Sequence, residues 1–331
     1  MAGVFDALTP HLIMRAVEES YGLVLDGTMQ PYPSYVNRVY GLRTDEGVEY
    51  VVKFYRPGRW SVEAVAEEHE LVLECAEAEV PVVPPIADVD GFTLQVLEVD
   101  GGSEGDEVAF ALYEKRGGRS FDAERDEDWF RLGSLAGRVH AIGRRRAAFE
   151  RMTCTPTAST ARFVEQLRRD EVVHPDIADD FFAVADQGIE LITPLFEGVE
   201  LQRIHGDFHR GNVLERGDEG LLLIDFDDMM MGPPVQDLWL LLPGHAWTVR
   251  RELTHIVDGY TQFHDFDPSS LRLVEPLRFM RMIYYLAWSA LQRNDHRFRE
   301  QNPDWGSRAF WIREVEDVRT QLSMVAEDAG D

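Results

Sequence analysis

Lysine is almost missing from this chain. Of 33 basic residues only Lys53 and Lys115 are lysine; the others are arginine. Cysteine is equally scarce, with Cys75 and Cys154 alone. Two cannot build a disulfide framework, and no Cys/His spacing resembles a zinc site. There is no run of 18 apolar residues, so no transmembrane helix is expected. The first residues, Met1 to Asp6, have neither the charged n-region nor the apolar stretch of a signal peptide. A soluble cytoplasmic protein, acting as a monomer, is the expectation. Positive charge is in deficit too: 33 Lys and Arg against 60 Asp and Glu give a net charge of −27. Such a surface repels phosphate backbones and anionic lipid, which excludes nucleic acid and membrane as bulk partners. A GC-rich genome explains the arginine without special physiology, while the acidity also suits a high-salt cytoplasm. In either case a lysine kept at an unlikely place is informative.

What is present is ample for folding. The chain has 331 residues, 44% of them hydrophobic, enough for one large core or two moderate ones. Apolar residues at Leu8, Leu12, Ile13, Val17 and Tyr21 predict an amphipathic helix over 8–22. Residues 38–43 and 49–55 flank the turn Thr44-Asp45-Glu46-Gly47 and predict a hairpin. Residues 61–78, opened by Ser61 and rich in Glu, Ala and Leu, predict a helix that ends before Pro81. Strands are expected near 93–99 and 108–114. Beyond Gly117-Gly118 the chain is mostly helical, over about 125–149, 158–171, 176–196, 248–263, 268–293 and 308–327, with one strand-like island at 203–227. The plan is an α+β chain with a small strand-rich lobe, residues 1–113, and a larger mainly helical lobe, residues 114–331.

The chemistry is concentrated in the island. It reads His205-Gly206-Asp207-Phe208-His209-Arg210-Gly211-Asn212, then an apolar run ending in Asp225-Phe226-Asp227-Asp228. This is the phosphotransfer pattern H-x-D-x-x-x-x-N followed by a strand ending in D-F. A nucleoside triphosphate brings Mg²⁺, a hard cation that takes oxygen ligands. Asn212 and Asp225 supply an amide and a carboxylate oxygen on short backbone. A separate carboxylate, Asp207, is left to orient the attacking hydroxyl and accept its proton. A third signature is Lys53, inside the apolar strand Val51-Val52-Lys53-Phe54. Kinases use a lysine there for the α- and β-phosphates and pair it with a glutamate on the next helix. Glu68 is the choice of partner here, with Glu67 as rival, since one helix face alone can look at the lysine.

Two kinase parts are missing. No G-x-G-x-x-G precedes the hairpin; its place holds Tyr32-Pro33-Ser34-Tyr35-Val36-Asn37-Arg38. The Ser34 hydroxyl and turn amides could cover phosphates, or the segment could be a plain β-turn. No long segment with A-P-E follows Asp225; Gly232-Pro233-Pro234-Val235-Gln236-Asp237-Leu238-Trp239 follows instead. Asp237, at a helix start, is read as a buttress of the catalytic loop.

With these residues the chain resembles the aminoglycoside-phosphotransferase and choline-kinase-like group of the protein-kinase fold. More narrowly it resembles the stress response kinase A family of bacterial Ser/Thr protein kinases. The carrying strings are Ser34-Tyr35-Val36-Asn37-Arg38-Val39-Tyr40, Val51 to Pro57, Glu67-Glu68-His69, Val235 to Trp239, Glu275-Pro276-Leu277-Arg278 and Tyr284 to Trp288. The resemblance spans nearly the whole chain. It implies a bilobal kinase-like fold, ATP and Mg²⁺, and phosphate transfer to protein serine or threonine with autophosphorylation, in protection against envelope or other stress. It also implies that Asp207 is the proton acceptor, that Asn212 and Asp225 hold metal, and that Ser34 lies near ATP. Phe208 and Arg210, in the acceptor loop, are then expected to vary between members and to affect substrate choice. A small-molecule kinase acting on an amino alcohol or aminoglycoside is the alternative, favoured by the short segment after Asp225. A scaffold without catalysis is a third reading, weakened because Lys53, Asp207, Asn212 and Asp225 are all present. The helix 268–293 carries Glu275, Arg278, Arg281, Tyr284, Tyr285 and Trp288, which suit an acceptor site or a core stripe equally; none is given a role.

Overall fold

The computed structural model describes residues 4–34, 36–99 and 107–328. In chain order its elements are α1 (Pro10–Tyr21), β1 (Leu25–Pro31), β2 (Arg38–Thr44), β3 (Glu49–Phe54), α2 (Val62–Glu77), β4 (Gln95–Glu98), β5 (Glu107–Glu114) and β6 (Arg119–Ser120). Then come α3 (Asp126–Gly143), α4 (Ala161–Arg169), α5 (Pro175–Ile192), β7 (Gln202–Ile204), β8 (Val213–Glu215), β9 (Leu221–Leu223) and β10 (Met230–Gly232). The chain closes with α6 (Val235–Leu241), α7 (Arg250–Tyr260), α8 (Val274–Gln292), α9 (His296–Gln301) and α10 (Arg308–Asp328).

Two compact units result. The first comprises residues 1–122 together with 210–227, the second 123–209 and 228–331. A break after residue 113 does not anticipate the return of 210–227 to the first unit. Pairing explains it: β8 lies against β6, with Arg119 opposite Glu215, β9 lies against β8, and Leu223 bridges to Val82.

The first unit is built on an antiparallel sheet of order β1-β2-β3-β5-β4. Alternation along β3 sorts its side chains. Val52 and Phe54 enter a core with Ile13 and Val17 of α1 and with Phe110 and Leu112 of β5. Lys53 points to the opposite face, which Val65 of α2 covers together with Ala111 and Tyr55. The Ser61 hydroxyl accepts from the Ala64 N–H and caps α2, as the sequence predicts. Strand β1 was not foreseen: Leu-Asp-Gly-Thr-Met-Gln-Pro is mostly exposed and carries no apolar alternation.

The second unit packs α5, α8 and α10 around Phe181, Phe279, Ile283 and Trp311. Helix α3 crosses α7 with no room for side chains between them. A Cβ on Gly133 would sit 1.9 Å from the Ile256 carbonyl oxygen, and one on Gly259 2.0 Å from that of Phe130. Predicted helices differ at their ends. The stretch 125–149 stops at Gly143, and 268–293 begins as a 3₁₀ turn, Pro268–Leu273, before α8.

Candidate active site

The first unit assembles a cluster of charge around Lys53. Its ammonium lies 3.2 Å from Asp225 Oδ1 and also pairs with Asp227. Asp227 is buried and accepts from Asn37 Nδ2 and from Arg59 Nη1, the latter at 3.0 Å. Glu68 is buried on the α2 face that looks toward Lys53, and the Tyr55 hydroxyl donates to it at 3.5 Å. Glu67, its rival, is half-buried. Burial works against a charged lysine, but Asp227, Asp225 and Glu68 together push the Lys53 pKa well above its ordinary value. The lysine is therefore held as a cation.

Asp225 has φ +66°, a left-handed conformation that side chains other than Asn, Asp or Gly rarely adopt. Its side chain is 51% exposed. Asn212 ends the 3₁₀ turn Arg210–Asn212 and is buried. Its carbonyl accepts the Ile224 N–H at 3.0 Å, which ties the turn to the residue before Asp225. Ser34 lies in the loop between β1 and β2, its Oγ accepting the Asn37 N–H at 3.4 Å. The amide of Asn37 reaches on to Asp227 and its Oδ1 accepts the Arg56 N–H. The Ser34 loop is thus anchored through Asn37 rather than through glycines. Asn37, Arg59 and Asp227 were all missed by sequence reasoning. Only the D-F-D string hinted at Asp227.

The second unit holds Asp207. Arg281 of α8 donates to its Oδ1 at 2.5 Å, and His209 Nε2 lies 3.4 Å from its Oδ2. Burial alone would raise this carboxyl. The hydrogen bond with His209 and the charge of Arg281 outweigh it, and the pKa falls to about 2. The loop itself hangs on Asp237. That carboxylate is fully buried at the start of α6 and accepts the N–H groups of His205 and Gly206 at 2.8 Å each. It also accepts from His140 Nε2 at 2.9 Å, and the Tyr260 hydroxyl bonds to His140 Nδ1 at 2.9 Å. Gly206 has φ +82°, and a Cβ there would meet the Asp228 carbonyl oxygen at 2.0 Å, so only glycine fits. Phe208, expected to affect substrate choice, is fully buried with its ring 5.4 Å from that of His205 and does not reach solvent.

Helix α8 divides its polar residues by face. Arg281 binds Asp207, and the Tyr284 hydroxyl donates to Asp228. Glu275 is buried with His245, Arg278 and Gln321. Tyr285 is exposed and stacks on Trp288.

Among the described residues no three His, Cys, Asp or Glu side chains gather as a metal site, and no helix is long and apolar enough to cross a membrane. The donors at Asn212 and Asp225 suit a cation that keeps most of its shell from water and phosphate, as Mg²⁺ does.

Comparison with known proteins follows the same lines. The phosphotransferase enzyme family, APH, matches residues 28–274. Stress response kinase A of Escherichia coli (strain K12) is 34% identical over 98% of this chain and 96% of that protein. The serine/threonine protein kinase RdoA of Salmonella typhimurium matches to the same extent. Among solved structures, the amicoumacin kinase hAmiN, in complex with AMP-PNP, Ca²⁺ and Ami, superposes with a TM-score of 0.74 at 16% identity, covering 96% of this chain and 95% of that one. A microcompartment-associated aminopropanol kinase superposes with a TM-score of 0.69 at 16% identity, covering 96% and 97%. These two share the fold.

Proposed function

The chain belongs to the phosphotransferase enzyme family, and from that premise we propose that it transfers the γ-phosphate of ATP, with Mg²⁺, to serine and threonine hydroxyls of proteins, itself included, in a bacterial stress response. The observation that carries the protein-directed reading is the 34% identity, over 98% of the chain, to proteins named as stress response and Ser/Thr protein kinases. Small-molecule kinases share the fold at 16%.

Each residue has a part in this reading. Lys53, kept cationic by its acidic neighbours, binds phosphate oxygens. Asn212 and Asp225 would hold Mg²⁺, which would supply positive charge to the phosphates. Ser34 stands at the phosphate loop, whose anchor is Asn37. Glu68 supports Lys53 from α2. Asp207 faces the acceptor hydroxyl. The bond from phosphorus to the ADP oxygen breaks, a bond from the acceptor oxygen forms, and the acceptor proton leaves toward Asp207. A carboxyl with a pKa near 2 is a weak base at neutral pH, so Asp207 acts first by orienting the hydroxyl and takes the proton late.

A second reading, a kinase of small amino alcohols or aminoglycosides, has in its favour the short segment between Asp225 and α6, which offers little platform for an extended peptide. Incubation of the full chain with γ-labelled ATP, bacterial lysate proteins and a metabolite mixture separates the two. Label on protein serine or threonine is expected; label confined to small molecules would establish the second reading instead.

A further inference from the structure

The second unit contains a small solvent-open recess whose lining includes Gly206, the residue before Asp207. Its lining combines apolar side chains such as Met152 and Phe163 with the uncharged polar Ser159, Thr160 and Gln236, and with Arg281. Among the described residues that line it there is no Asp, Glu, His or Lys; Arg281 is the one ionised group. Two carboxylates bond to its lining residues and are thereby engaged: Asp207 by Arg281 and Asp228 by the Tyr284 hydroxyl. In a chain of net charge −27, the lining of this recess therefore holds no carboxylate, and its one ionised group is Arg281, which is paired to Asp207.

An acceptor that carried an ammonium group would meet a guanidinium and uncharged side chains, with the neighbouring Asp207 and Asp228 already bonded to Arg281 and Tyr284. A carboxylate or phosphate would meet a fork of N–H donors shaped for it. We propose that the acceptor carries an anionic group beside the hydroxyl it presents, with no cation there, and that Arg281 reads this group. This rests on the reading of Asp207 as the residue facing the acceptor. On binding, the anion draws the guanidinium from Asp207 Oδ1 and leaves that oxygen to the incoming hydroxyl. The chemistry has two sources: a serine or threonine flanked by acidic residues, and a free hydroxy acid.

Binding tests the charge independently of transfer. Fluorescent peptides with alanine at the acceptor position, flanked by Glu, Gln or Lys, are titrated against the full chain at about 0.15 M salt, where long-range charge is screened beyond roughly 8 Å. The Glu-flanked peptide is expected to bind about tenfold or more tighter than the Lys-flanked one, the size of a charge-assisted hydrogen bond. Bulk charge alone predicts the opposite order, so that order in the wild type would overturn the inference. Arg281→Gln should flatten the preference, Arg281→Glu reverse it, and Arg281→Lys retain it. Loss of the Asp207 partner should lower the stability of Arg281→Gln and Arg281→Glu, so affinities are compared at a temperature where melting shows every variant folded. An unchanged order in Arg281→Glu would also overturn the inference. Transfer from γ-labelled ATP to serine peptides, glycerate and ethanolamine then separates the sources. Label on glycerate but not on peptide would keep the charge inference and remove the protein-kinase reading. Preference for ethanolamine would sink the inference itself.

Discussion

His140 donates through Nε2 to the carboxylate of Asp237 at 2.9 Å, and both side chains are wholly out of solvent. The same carboxylate takes the two backbone N–H groups that precede Asp207. The loop that carries Asp207 is thus fixed by a buried acid, itself fixed by a histidine from α3.

Removing that acid should be costly. Asp237→Ala leaves the His205 and Gly206 N–H groups and His140 without their acceptor in the interior, and a loss of about 3–5 kcal/mol of stability is expected. Denaturant titration measures it. Tyr260→Phe, which removes only the bond to His140 Nδ1, should cost about 1 kcal/mol. Equal small losses for both would show that the loop stands without Asp237.

Asp207→Asn should lower stability, because Arg281 loses its anionic partner, yet leave nucleotide binding nearly intact while transfer falls by roughly 10²–10⁴-fold, the usual worth of a positioned base. Wild-type turnover in this variant would remove Asp207 from the reaction.

The Asp207–Arg281 pair also has a pH signature. The folded carboxyl titrates at about 2, below the unfolded value of about 3.9. A depressed carboxyl stabilises the fold fully above the unfolded value and loses that contribution as pH falls toward the folded one. The stability gap between wild type and Arg281→Gln should be constant above about pH 5 and narrow between about pH 4 and 2. Urea midpoints at stepped pH report it; a gap that opens only above pH 6 would point to a different group.

Lys53→Arg tests the other cluster. Lys53 is 13% exposed, held between Asp225 and Asp227 with the Tyr55 ring 5.1 Å away. Charge is kept, so melting should be unchanged, but the wider planar guanidinium does not reproduce a compact ammonium. Transfer should fall about tenfold or more, roughly 1.4 kcal/mol. Equal rates at equal stability would make Lys53 structural.

At Asp225 two variants separate charge from backbone. Asp225→Asn tolerates φ +66°, whereas Asp225→Ala adds left-handed strain and should be less stable than it by about 1 kcal/mol. Both should weaken the Mg²⁺ dependence of ATP binding, measured calorimetrically with and without the metal. Metal dependence unchanged in both would leave Asp225 as a strand-end residue.

The features legible in the chain were local ones. The Ser61 cap, the hairpin around Thr44-Asp45-Glu46-Gly47 and the period-2 alternation that turns Lys53 away from Val52 and Phe54 depend on neighbours within a few residues. So does the spacing from Asp207 to Asn212 to Asp225, and so does the placing of Asp237 at a helix start. Backbone sterics and hydrogen-bond geometry repeat identically wherever such strings occur, so they can be read without the fold. What tertiary structure alone decided is which charges meet. Lys53 and Asp225 are 172 residues apart, Asp207 and Arg281 74, His140 and Asp237 97. Helix 268–293 offered six polar or aromatic residues with no way to rank them, and packing turned Arg281 toward Asp207 while burying Glu275. Close approach of α3 and α7 across Gly133 and Gly259 belongs with the same class of facts. The direction a side chain faces across such distances is set by how helices and sheet settle against a shared core, and sequence periodicity specifies the face of each element but not the element that will cover it.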